Sequence, residues 1–126
     1  MGYAVDDATE MPSGYVPGEV EHHDQWRWPR PYQRYADLNR RGSGLAMIAT
    51  VHRDLYIRAV GETADGAAVL VVSHGGGIEP ALVACLPDAD HGSWGEPFSH
   101  CDGARLSFEH GRFTDIEFHR APPLSG

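Results

Sequence analysis

The run with the most chemistry in it is Ser73-His74-Gly75-Gly76-Gly77, set between the apolar stretch AAVLVV and the pattern IEPALVACL. Glycines there let the backbone approach a ligand with no Cβ in the way, and the N–H groups of Gly75 to Gly77 can converge on an anion. A helix starting directly after them would aim the positive end of its dipole at the same point. His74 would project its imidazole into that space, as donor to a phosphate or as a proton carrier near neutral pH. The same residues also describe a satisfied histidine in an ordinary strand-to-helix turn.

A second cluster lies in EVEHHDQWRWPR, which carries His22, His23, Trp26, Trp28 and Arg30. Adjacent histidines rarely ligate one metal and no second ligand pair stands at zinc spacing, so a metal site is not expected. The segment reads either as a lid whose tryptophans and Arg30 touch the organic part of a substrate, or as a loop pinned by two partly buried tryptophans. Cys85 sits in an apolar pattern and is expected to be a small core residue. Cys101 has no basic partner in sequence that would activate it as a nucleophile. His52, His91, His110 and His119 read as surface or hairpin residues.

These residues need elements to position them. AAVLVVS is a continuous β-branched run, the pattern of a strand buried on both faces. Ile78, Leu82, Cys85 and Leu86 give a helix face after the glycines, with Pro80 early enough for a first turn. Upstream, Pro31 can start a helix and Gly42 can stop it. Ser43 is placed to cap a second helix, whose apolar face is Leu45, Ile48, Val51, Leu55 and Ala59. Residues 12–30 read as a long irregular, lid-like loop. The tail predicts a hairpin, ARLSFE and TDIEFH joined through His110-Gly111. Helix, strand, helix and then strands make an α/β domain.

The 126 residues fit one domain, and 41% apolar with 22% charged content is that of a globular protein. Eighteen acidic against ten basic residues give a net charge of −8, a field that repels nucleic acid and anionic membrane. A local His and Arg cluster can override that field over roughly 8–10 Å, so a small anionic ligand stays open. No signal peptide opens the chain and no apolar run is long enough for a membrane span, so a cytoplasmic location is expected.

VLVVSHGGGIEPALVACL resembles the second histidine motif of the histidine phosphatase superfamily, the phosphoglycerate mutase-like proteins. HCDGARLSFEHGRFTDIEF is similar to that family's closing hairpin, and the Leu45 to Val60 helix stands where its preceding helix would. The resemblance covers residues 43–119. It implies a three-layer α/β/α fold, here without its first strand and helix, acting on a small phosphomonoester through a phosphohistidine and needing no cofactor. It also implies a pocket of two histidines, two arginines and an acid. His74 matches the second histidine, with His74, Gly75 and Gly76 around the phosphate; Glu10 falls roughly where the family's acid lies, and His100 and Cys101 would stand near the pocket.

The family's nucleophile lies in an Arg-His-Gly motif. No Arg-His-Gly stands in this chain, and the nearest text, NRRGSG, lacks the histidine. The chain therefore reads as the C-terminal part of such a domain, inactive alone, with a sheet edge open to self-association. The alternative is a non-catalytic module that binds a phosphorylated ligand or a partner. An esterase oxyanion motif would need a downstream Gly-x-Ser-x-Gly, and the sequence has none.

Overall fold

The computed structural model describes residues 15–21, 24–42, 44–63, 66, 68–72, 76–99 and 101–120. Three helices, α1 (Pro31–Arg40), α2 (Gly44–Gly61) and α3 (Ile78–Cys85), are followed by an antiparallel hairpin of β1 (Gly103–Glu109) and β2 (Arg112–His119). Single 3-10 turns stand at Asp24–Trp26 and His91–Ser93.

α1 begins on Pro31, whose fixed φ suits a first turn and whose missing N–H is no loss there. It ends at Gly42, which takes the left-handed conformation at φ +68. Its inward face of Tyr32, Tyr35, Ala36 and Leu38 follows helical spacing. With Val20, Leu45 and Val83 it makes the core, each large side chain contributing about 1.5–3 kcal/mol by burial. α3 packs against both α1 and α2, and most of its circumference is buried, including Cys85. Burial pushes the Cys85 thiol up to about 12, so it is an inert core group.

The buried stripe of α2 is Leu45, Ala49 and His52, one position off the expected 45/48/51 face, and Val51 is exposed. The stripe follows α3 and the glycine turn ahead of it, because α2 packs there. Ser43 lies outside the described residues. The side chain of Glu19 caps α2, its two carboxylate oxygens accepting the N–H groups of Gly44 and Leu45, each at 3.2 Å. That side chain comes from a tight turn in which Val16 and Val20 bridge. The described parts of the expected 12–30 lid are therefore tied down, with Val20 and Gln25 buried.

The hairpin forms as expected. His110 and Gly111 both take positive φ, +53 and +79, the conformation whose twist joins two strands through two residues. Leu106 pairs with Ile116 and Phe108 with Phe113, with a bulge after Ser107. Phe118 carries the hairpin onto the helices, edge-on to Tyr32, Trp94 and Phe98.

The strand expected across residues 67–73 is corrected. Residues 68–72 carry no strand, and Val69, Leu70, Val71 and Val72 are exposed by 44, 80, 39 and 85%. A run apolar on both faces is a strand only inside a sheet, and the hairpin is the sheet among the described residues. The molecule is mixed α/β, with the sheet at the end of the chain.

Candidate functional site

His74, Gly75, Glu10, His22, His23 and His100 lie outside the described residues; Gly76, Trp26, Trp28 and Arg30 lie within them. They fall in two places, the glycine turn and a cleft on the aromatic side.

At the turn, Gly76 takes φ +92 and lies under the Tyr15 ring, where an added Cβ would meet Tyr15 Cζ at 3.6 Å. A Cβ on Gly77 would come within 3.0 Å of His52 Cε1, so the His52 ring closes against bare backbone. Glycine at 77 is required by that approach. His52 is 2% exposed, which corrects its expected surface position. Gly77 is the N-cap of α3 and, among the described residues, gives it no side-chain cap.

Glu79 governs the turn electrically. Its side chain is fully buried; Oε1 accepts the Gly76 N–H at 2.7 Å and Oε2 accepts the Phe98 N–H at 3.1 Å. Burial holds its carboxyl above the ordinary value, against the pull of those N–H groups and of Arg120. This corrects the role expected of Gly76. Its N–H faces a carboxylate inside the protein and is not available to a phosphate, so an anion at this turn would rest on the residues on either side of it.

The cleft lies between the Asp24–Trp26 turn with the start of α1 and the loop after the second 3-10 turn. Gln25, Trp26, Trp28, Arg30, Gly95 and Pro97 are among the residues that line its volume of about 220 Å³. Trp28 is held edge-on to Tyr35 at 5.1 Å, whereas Trp26 leaves 47% of its surface uncovered. Gln25 is buried, and its Oε1 has no hydrogen-bond partner among the described residues. Of the two readings of this segment, the pinned loop describes Trp28 and the open face describes Trp26.

Arg120 fixes the far wall. Its guanidinium donates to the carbonyls of Trp94, Glu96 and Pro97 at 3.0, 2.8 and 3.4 Å, and pairs with Asp102 at 3.3 Å. It also lies over the Phe118 ring at 4.9 Å. His91, expected at the surface, is buried and donates from Nε2 to the Leu86 carbonyl at 2.7 Å, its ring edge-on to Trp94. His110 and His119 are exposed on the hairpin as expected.

Sequence reasoning missed His52, Glu79, Gln25 and Arg120. Glu79 had one local signal, its place three residues after Gly76, the spacing at which a carboxylate reaches back to a helix start. The others meet partners far along the chain and leave no short-range pattern.

Comparison with protein-family models, with curated proteins and with solved structures returns no match.

Proposed function

We propose that the chain is a phosphate-binding domain of the histidine phosphatase type, part of a three-layer α/β/α arrangement, that holds a small phosphomonoester at the His74 turn without turning it over alone. The observation that carries this is the start of α3: an apolar extended segment runs through bare glycines into a helix whose N-cap, Gly77, supplies no side-chain cap among the described residues. First-turn N–H groups without a side-chain partner favour an anion, and His74 is the adjacent cation donor. The buried Glu79, which fixes Gly76, and the His52 ring against Gly77 hold that turn in one conformation.

Turnover is not part of the proposal, because phosphoryl transfer depends on positioning and charge stabilisation and the chain has no Arg-His-Gly nucleophile segment. The exposed, unpaired 68–72 run is what a strand of such a fold looks like without its sheet neighbours.

Calorimetric titration with phenyl phosphate tests this, alongside a hydrolysis assay on the same samples. Saturable binding abolished in His74→Ala, with no hydrolysis by either protein, is the expected result. Absence of binding overturns the proposal; hydrolysis by the wild-type chain that disappears in His74→Ala overturns its non-catalytic part.

A further inference from the structure

The cleft beside Gln25 has a shape and a chemistry of its own. Its volume of about 220 Å³ exceeds the ~150 Å³ that holds a single benzene ring, so a planar group of two fused rings is the size that fits. It is too small for a folded peptide segment. Flat apolar surfaces line it: Trp26, nearly half uncovered, with Trp28 and Pro97. Gly92 and Gly95 bring bare backbone to the opposite side.

The polar part is more selective than the walls. Gln25 is 3% exposed and lines this cleft, yet its Oε1 accepts no hydrogen bond among the described residues. A buried carbonyl oxygen without a donor is costly, and such groups are rarely left that way without a reason. A ligand that supplies an N–H donor removes the cost. A carboxamide also offers an N–H beside its oxygen, so it matches a ring with an exocyclic amine next to a ring nitrogen, as a glutamine matches the N6 and N7 edge of adenine. Trp26 provides a face on which such a ring stacks. Arg30 and Glu96, both exposed, also line the cleft.

We infer that this cleft binds an amino-substituted bicyclic heteroaromatic ring of the adenine type, stacked on Trp26 and read by the Gln25 carboxamide. The site takes a free base, nucleoside or nucleotide, and the net charge of −8 opposes a nucleic-acid strand. The inference is independent of phosphate binding at the His74 turn.

The test is a tryptophan-fluorescence titration with 9-methyladenine and with 9-methylpurine, which lacks the amine; neither carries a phosphate. The wild-type chain is expected to bind 9-methyladenine saturably, and 9-methylpurine about tenfold more weakly, the loss of one hydrogen bond to a buried acceptor. Gln25→Met should erase that discrimination. Trp26→Ala, at an exposed position that leaves the core intact, should weaken both ligands about tenfold while Trp28 and Trp94 still report. In the same assay AMP binding more tightly than adenosine identifies a nucleotide held through Arg30, and equal affinity identifies the nucleoside; both support the ring site. No saturable signal at millimolar ligand, equal wild-type affinities for the two methylated rings, or discrimination that survives in Gln25→Met overturns it. Should Gln25→Met fail to fold by circular dichroism, the wild-type comparison and Trp26→Ala decide.

Discussion

At the scale of residues, the glycine turn is held by one carboxylate and one imidazole. Glu79 spends both oxygens on backbone N–H groups from segments nineteen residues apart, Gly76 on one side and Phe98 on the other. Glu79→Ala would leave two buried donors without acceptors, and we expect a loss of about 2–4 kcal/mol in urea unfolding after relief of the buried charge is subtracted. The pH dependence follows from the direction of its shift. The folded protein binds the Glu79 proton more tightly than the unfolded chain, so the stability it contributes is fully present below the ordinary value of 4.5 and is lost as pH rises through the raised folded value. Urea unfolding of the wild type across that window should show this downward component, and Glu79→Ala should lack it. Gly77→Ala is a second probe. Its Cβ would meet His52 Cε1 at 3.0 Å, and the ring is buried, so we expect a loss of about 1–3 kcal/mol by the same measurement. Neither residue was legible in sequence: charged residues usually solvate, and what buries these two arrives from other elements.

Helices and turns were more legible than their contacts. Pro31 and Gly42 bound α1, Ile78 opens α3, and His110-Gly111 turns the hairpin, because proline, glycine and alternation act locally. The phase of α2 was not legible. Its apolar residues surround much of the helix, and α3 and the glycine turn select the stripe that is buried. The N-cap of α2 was not legible either, since Glu19 reaches it from 25 residues away. Glu19→Ala should cost about 1 kcal/mol, the usual worth of a side-chain cap, seen as a lower midpoint in thermal unfolding. Glu19→Gln, which keeps one acceptor oxygen, should lose less.

At the scale of the molecule, the apolar AAVLVV run promised a buried central strand, and periodicity alone could not reveal that described neighbours to pair with it are missing. Val72 and Leu70 are the most exposed of its residues, so Leu70→Lys with Val72→Lys should change unfolding free energy by under about 0.5 kcal/mol. The pair of lysines should nevertheless shift light-scattering mass toward the monomer, because charge on an open strand edge opposes edge-to-edge association. The sites divide in the same way: the His74 turn was visible as a motif, whereas the Gln25 cleft exists only after the 3-10 turn and the Arg120-clamped loop come together. The most direct test of phosphate binding at the turn is backbone-amide NMR of the full chain during titration with phenyl phosphate. Saturable shifts centred on residues 74–78, absent in His74→Ala, are the predicted result; no saturable shift there, or shifts confined to the Trp26 cleft, would contradict it.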